Sequence, residues 1–210
     1  LATYAKEGEC SVRIASKRGS LAEAKAAVTD MIEKVNERVG EYIYSYDDED
    51  LHQVVAKKLM ERKISISSAE SCTGGLFAQT LTEIPGISSV FDRALVTYSN
   101  RAKIEELGVT PQTLEQYGAV SEETAIEMAQ GLKKVSGSRL CISVTGIAGP
   151  DGATPEKPVG LVYVCAILDD SMVCKKSIMR NVNRNWNRNY AMLLMFDVLN
   201  RLLDNKEQLK

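Results

Sequence analysis

Three stretches of this chain have residue types that could hold or cleave a small molecule. The first is Glu70-Ser71-Cys72-Thr73-Gly74-Gly75. Glycines there let backbone N–H groups approach a ligand, and a helix N-terminus just beyond them favours an anion. The plainer alternative is a tight turn in which Ser71 or Thr73 caps a helix. The second stretch is Val144-Thr145-Gly146-Ile147-Ala148-Gly149-Pro150-Asp151-Gly152, where an apolar strand opens into a glycine-rich loop. Two such loops favour a phosphate- or nucleotide-shaped site, although the P-loop pattern is not present. A long structural loop is the alternative. The third stretch holds Ser88, Tyr98, Asn100 and Lys103.

A hydrolytic serine needs a base. The single histidine, His52, lies in an acidic stretch and reads as a surface residue. Multi-histidine metal sites are therefore excluded, and a Ser-His-Asp triad has little support. A lysine can serve instead if burial lowers its pKa from about 10.4 toward about 7–8. Lys103 follows the polar Tyr98-Ser99-Asn100 segment; a solvated lysine is the alternative. Lys175, Lys176, Arg180, Arg184 and Arg188 form a basic run with no intervening acid, and Arg184 and Arg188 fall on one helical face. That face could take an anion, or it is a solvated or subunit-contact surface.

The elements that must position these residues follow from periodicity. Cys10, Val12 and Ile14 alternate as a strand, and Ser20-Leu21-Ala22-Glu23 is a capping box opening a long amphipathic helix that stops at Gly40. Residues 42–50 read as an acidic hinge. A helix through Leu51–Leu59 precedes a short strand at 64–67 that leads into the first glycine turn, and a helix at 75–82 follows. Strands are expected at about 91–98, 140–145, 161–168 and 172–179. Helices are expected around 103–107, after Thr110-Pro111, after Ser121-Glu122-Glu123, and around 190–198. Alternating strands and helices, with a near-continuous apolar strand at 140–145, predict a three-layer α/β/α sandwich on a mixed sheet, preceded by a strand–helix piece of a separate small domain.

Composition bounds the rest. The chain has 210 residues, 44% hydrophobic and 26% charged, with a net charge of -2. That suits a globular protein with a core and disfavours a generally basic nucleic-acid binder. The longest strongly apolar run, Ala191–Phe196, is far short of the ~20 residues of a membrane span. No signal peptide opens the chain. Its start at Leu1 rather than Met reads as a piece of a longer chain. Five cysteines, an odd number without a C-x-x-C pair, make a disulfide scaffold or zinc ribbon improbable and point to a reducing cytoplasm.

The assembled string resembles the CinA C-terminal domain family, the nicotinamide mononucleotide (NMN) deamidases. The matching stretches are residues 69–75, Pro85-Gly86-Ile87-Ser88-Ser89-Val90-Phe91, Val96-Thr97-Tyr98-Ser99-Asn100 with Lys103, Ala119-Val120-Ser121-Glu122-Glu123-Thr124-Ala125, and Val144–Gly152 with Glu156-Lys157-Pro158-Val159-Gly160. They keep the family order over residues 47–203. Departures are Asn183-Arg184 where Gly-Asp-Arg is common, Arg93-Ala94 where glycines are frequent, and Ala153 where a second glycine is usual. The resemblance implies a deamidase domain over 46–210, behind the tail of a KH-type domain over 1–45. The matching stretches do not include the upstream domain associated with nucleotide pyrophosphatase activity in the family, so that activity is not carried over. Residues 1–44 hold seven basic and seven acidic side chains and no G-x-x-G clamp, which disfavours RNA binding by this piece.

The implied reaction is hydrolysis of the NMN amide to nicotinic acid mononucleotide and ammonia, by a serine–lysine dyad without metal or cofactor. In this matching Ser88 is the nucleophile, Lys103 the base and Tyr98 a catalytic neighbour. The expected substrate-binding set is Ser71, Thr73, Gly74, Gly75, Asn100, Thr145, Gly146, Ala148, Gly149 and Arg184. The expected partners are the small-molecule substrate and further copies of the chain, with no nucleic acid and no membrane. The alternatives are a non-catalytic nucleotide- or partner-binding module, and a hydrolase of another small amide with the same machinery.

Overall fold

The computed structural model describes residues 1–6, 8–180 and 182–204. The chain divides into two compact units, Leu1–Asp48 and Glu49–Lys210. In the first, β1 (Ala2–Ala5) and β2 (Cys10–Arg13) pair as an antiparallel hairpin, followed by α1 (Leu21–Val39). The capping box is formed: Glu23 N–H donates to Ser20 Oγ, and Ser20 N–H to the Glu23 carboxylate. The sequence predicts one strand here; β1 adds a second. Its four residues are all exposed, so they carry no alternation to read.

The second unit is built on a five-stranded sheet of order β4-β3-β5-β6-β7: β3 (Ile66–Glu70), β4 (Phe91–Val96), β5 (Leu140–Gly146), β6 (Leu161–Leu168) and β7 (Ser171–Ile178). β4, β3 and β5 run parallel; β6 and β7 continue as an antiparallel meander. One face is covered by α2 (Leu51–Glu61), α3 (Leu76–Thr82) and α7 (Arg184–Leu203), which pack on one another. The other carries α6 (Glu122–Ser136), against which α4 (Asn100–Leu107) and α5 (Pro111–Tyr117) pack. This is the three-layer α/β/α architecture on a mixed sheet that the alternating pattern predicts.

β3 is the central positioning strand. It is buried throughout although it reads Ile-Ser-Ser-Ala-Glu. Burying polar groups is costly unless they are bonded. Ser67 Oγ pairs with Ser138 Oγ at 2.8 Å, and the Glu70 carboxylate is fully engaged, as described below. These polar residues explain why the apolar pattern alone places the strand too early, at 64–67.

One other feature departs from expectation. Cys165 and Cys174 form a disulfide. An odd cysteine count without C-x-x-C does not register cross-strand neighbours. Here the two residues flank the β6–β7 turn and are direct antiparallel register partners. Gly131, inside α6, is also demanded by packing: a Cβ there would lie 1.8 Å from the Leu107 carbonyl oxygen at the end of α4. This close approach fixes the end of α4, the helix that carries Lys103, against α6. Gly131→Ala is therefore expected to destabilise the domain by about 3 kcal/mol, the upper part of the usual overpacking cost, read as a drop in the urea midpoint with unchanged slope.

Candidate active site

Parallel pairing decides which residues meet. Glu70, the last residue of β3, is register partner to Val96 of β4 and to Val144 of β5. The residues that follow, Ser71, Thr97 and Thr145, emerge side by side at the C-terminal edge of the sheet, where ligands of open α/β sheets gather.

Lys103 completes this row. Ser99 caps α4, its Oγ accepting from Ala102 N–H at 3.1 Å, so the helix starts immediately after the strand end. Lys103 sits one turn in, and its side chain folds back beneath the helix to 1% exposure. Nζ donates to Thr97 O at 2.7 Å and Tyr98 O at 3.4 Å, and lies 3.0 Å from Ser71 Oγ. No carboxylate pairs with it among the described residues. Burial is the main effect on this amine and lowers its pKa to about 8; neighbouring Cys72 acts weakly the other way. A buried amine of that pKa beside a hydroxyl is a base matched to neutral or mildly alkaline solution.

Ser71 stands on a turn held from within the chain. Its N–H donates to Val144 O at 3.1 Å, which ties it to β5. The buried carboxylate of Glu70 accepts from the N–H groups of Gly75, Phe77 and Ala78 at 3.0, 3.1 and 3.0 Å. Glu70 thus caps α3, the role that sequence reasoning allowed to Ser71 or Thr73. Gly74 and Gly75 both have left-handed backbone, with φ of 64° and 94°, where a side chain would be strained. The chain therefore reverses tightly and leaves the Ser71 hydroxyl free to face Lys103. Cys72 lies beside it, but burial pushes its thiol up to about 12, so it stays protonated, and the hydroxyl that contacts the Lys103 amine is that of Ser71.

A cavity of about 260 Å³ opens on this pair. Ser71, Cys72, Lys103, Tyr98, Ala119, Val120, the 145–149 segment, Asp151, Gly152 and Arg184 line it. The Ala119–Val120 wall is fixed by Thr145 Oγ1, which donates to Ala119 O at 2.7 Å, and by Lys157 Nζ, which donates to Val120 O at 2.8 Å and to Tyr117 O. Gly146 is obligatory: a Cβ there would come within 2.5 Å of Val162 and 3.2 Å of the Cys72 sulfur. Arg184 reaches over from α7, donating to Gly149 O at 2.6 Å and to the Tyr98 hydroxyl at 2.7 Å.

The expected site set divides accordingly. Lys103, Tyr98, Ser71, Thr145, Gly146, Ala148, Gly149 and Arg184 all line the cavity. Ser88 does not. It lies on an exposed turn before β4, at the end of the sheet opposite Lys103. The six residues of β4, at about 3.3 Å each, put roughly 20 Å between those ends. The Ser88–Lys103 dyad expected from sequence is therefore corrected: the hydroxyl beside the lysine belongs to Ser71. Asn100 is exposed on the first turn of α4, away from the lining. Thr73, Gly74 and Gly75 shape the turn behind the cavity rather than its wall. Cys72, Ala119, Val120, Ile147, Asp151 and Gly152 are lining residues that the expected set omits. Of these, Ile147, Asp151 and Gly152 belong to the second glycine loop, Cys72 to the first glycine turn, and Ala119 and Val120 to one of the stretches that carry the family resemblance. His52 packs near Phe196, with ring centroids 6.0 Å apart, and is not in the cavity lining.

Fold and site together define a class: a three-layer α/β domain with a serine–lysine pair at the C-terminal edge of its parallel strands. The profile of the CinA C-terminal domain matches residues 48–203, and that of the damage-inducible protein CinA KH domain matches residues 1–45. The chain belongs to the CinA family. A competence-damage inducible protein named in Acetivibrio thermocellus is 48% identical over 202 residues, and a CinA-like protein of Kosmotoga olearia is 43% identical over 203. These alignments cover 96% and 97% of this chain but 48% and 49% of the relatives, so the chain spans about half their length. Among solved structures, a competence/damage inducible protein from Agrobacterium tumefaciens superposes with a TM-score of 0.69 at 38% identity, covering 78% of this chain and 98% of that one. A CinA superfamily protein from Klebsiella pneumoniae gives 0.71 at 28% identity, covering 75% and 99%.

The depressed pKa of Lys103 carries a sign that can be checked. Between about 8 and 10.5 the unfolded chain keeps a proton that the folded chain has released, so this residue makes stability rise with pH across that window. Below about 8 its contribution is a constant penalty. Lys103→Met is expected to fold and to show its most favourable melting temperature, relative to the parent protein, at pH 7. That advantage shrinks as pH climbs from 8 to 10.5 in a series of thermal melts.

Proposed function

We propose that this domain is an amidohydrolase that converts NMN to nicotinic acid mononucleotide and ammonia, with Ser71 as nucleophile and Lys103 as base. The observation that carries the reading is the 3.0 Å contact between a buried, desolvated amine and the Ser71 hydroxyl in the lining of a cavity. The NMN assignment rests on the family resemblance, and the class of chemistry rests on the pair.

The steps balance on these two residues. Neutral Lys103 takes the Ser71 proton as Oγ bonds to the carboxamide carbon. The tetrahedral intermediate collapses by breaking the C–N bond, and the Lys103 ammonium donates its proton to the departing nitrogen, releasing ammonia. Water then adds to the ester, giving a proton to Lys103. Collapse breaks the C–Oγ bond, Ser71 Oγ takes its proton back from the Lys103 ammonium, and the freed carboxylic acid ionises to solvent. Thr97 O and Tyr98 O hold the ammonium form between steps, which keeps the amine aimed at Ser71 in both protonation states. Arg184 supports the substrate class: its guanidinium stands at the rim with the exposed Tyr98 hydroxyl as one partner, and a phosphate can displace a neutral hydroxyl by forming charge-assisted bonds.

A non-catalytic nucleotide-binding module is the competing reading. Ser71→Ala and Ser88→Ala separate them. Ammonia release from NMN is expected to fall by about 10³-fold or more in Ser71→Ala, as for loss of a nucleophile in other serine hydrolases, while Ser88→Ala keeps turnover within about threefold. Loss in Ser88→Ala with activity retained in Ser71→Ala would return the nucleophile to Ser88. No ammonia from the parent protein would favour the binding module. The rate should rise with pH along a limb near 8, the pH at which Lys103 becomes neutral.

A further inference from the structure

We infer that Arg188 is a positioning residue for the nucleophile, gripping the Ser71 turn through Thr73; this rests on the Ser71–Lys103 reading above. The turn from Ser71 to Gly75 is held by opposite charges on its two sides. The Glu70 carboxylate takes the N–H groups on the α3 side. On the other side the Arg188 guanidinium donates from Nε at 3.2 Å and from Nη2 at 2.7 Å to one oxygen, the carbonyl of Thr73. Within the turn Gly74 N–H donates to Ser71 O at 3.0 Å, and Thr73 itself is fully buried. Its own Oγ1 is buried without a hydrogen-bond partner. Gly74, next along, has the left-handed backbone described above, and an added Cβ would lie 3.6 Å from Arg188 Nη2, so the guanidinium is laid directly along the turn.

The same face of α7 reaches the second glycine loop. Arg184, one turn earlier, donates to Gly149 O, and Asn187 Nδ2 donates to Ala148 O at 2.9 Å. One helix therefore ties together the loop that presents the nucleophile and the loop that forms the opposite wall. Arg188 is absent from the cavity lining, so it acts on Ser71 through the turn and not on substrate. A fork with two aligned donors fixes a carbonyl in direction as well as distance, which a lysine's single ammonium does not. Displacing a reacting atom by about 1 Å can cost on the order of 10²-fold in rate.

The test reads Ser71 reactivity directly, so it does not depend on the identity of the amide substrate. Phenylmethanesulfonyl fluoride is attacked by Oγ: an O–S bond forms, the S–F bond breaks, and the serine proton leaves with fluoride. Intact mass and peptide mapping give the labelling rate at Ser71 in the full chain. Arg188→Ala is expected to label about tenfold to a hundredfold more slowly, with partial recovery when millimolar guanidinium chloride is added. The pH limb of labelling should stay where it is in the parent, because the base is untouched. With NMN, kcat should fall while KM stays within about twofold. Should Arg188→Ala fail to fold, Arg188→Lys carries the comparison, with slower labelling expected despite the retained charge. Labelling at the parent rate in the variant that folds overturns the inference and leaves the dyad standing. So does a shifted pH limb, or a raised KM at unchanged kcat. A parent protein that does not label at Ser71 removes the dyad and this inference together.

Discussion

An amine removed from water, with no carboxylate to receive it among the described residues, is the constraint around which this site is arranged. A fully buried ammonium is costly, and the usual remedies are a counter-ion or loss of the proton. Here the protein supplies neutral oxygens, two backbone carbonyls and the Ser71 hydroxyl, and the pKa falls to about 8. Neutral acceptors tolerate either protonation state, whereas an adjacent carboxylate would hold the proton and remove the base. The fold supports this by stopping β4 at Val96 and starting α4 at Asn100, so that the carbonyls left over at the strand end face the lysine one turn into the helix.

The companion charge is Glu70, and it shows the opposite solution. Its carboxylate is as buried as Lys103, but it receives backbone N–H groups from the start of α3, where the unsatisfied donors of a helix N-terminus gather. One buried charge is thus used to fix a turn and the other is left adjustable. The two residues are not interchangeable parts of one ion pair, because each is satisfied by backbone groups of a different element. This separation lets the turn stay fixed while the proton on Lys103 comes and goes.

Much of the framework was legible from sequence. Ser121 before a helical run, Thr110-Pro111, the capping box at Ser20 and Glu23, and the apolar strand at 140–145 all announce themselves through local chemistry, and each element forms where that chemistry puts it. The helix expected around 103–107 starts earlier, at Asn100, because Ser99 caps it. The lysine and both glycine loops were legible too, since glycine-rich strand ends and a lysine after a polar strand end are unusual enough to single out. Burial along β3 was not. Ser67, Ser68 and Glu70 carry no apolar signal, and their burial depends on partners as distant as Ser138. The Cys165–Cys174 bond escaped for a similar reason, since only the register of β6 against β7 makes neighbours of them.

The choice between two serines turns on the same kind of information. Ser88 precedes β4 by three residues and Lys103 follows it by seven, so nearness in sequence suggests a pair. A strand, however, carries its ends apart, and the six extended residues of β4 between Ser88 and Lys103 separate what they connect. Ser71 is thirty-two residues from Lys103, but it stands at the end of a strand parallel to β4, and parallel strands bring like ends together. In a parallel sheet, then, the residues that share a site are those that occupy the same position relative to their own strand ends. By that rule Ser71, Thr97 and Thr145 form one row, since Glu70, Val96 and Val144 are already in register. Ser88 belongs with the other end of the sheet, where Ile66 meets Phe91 and Leu140.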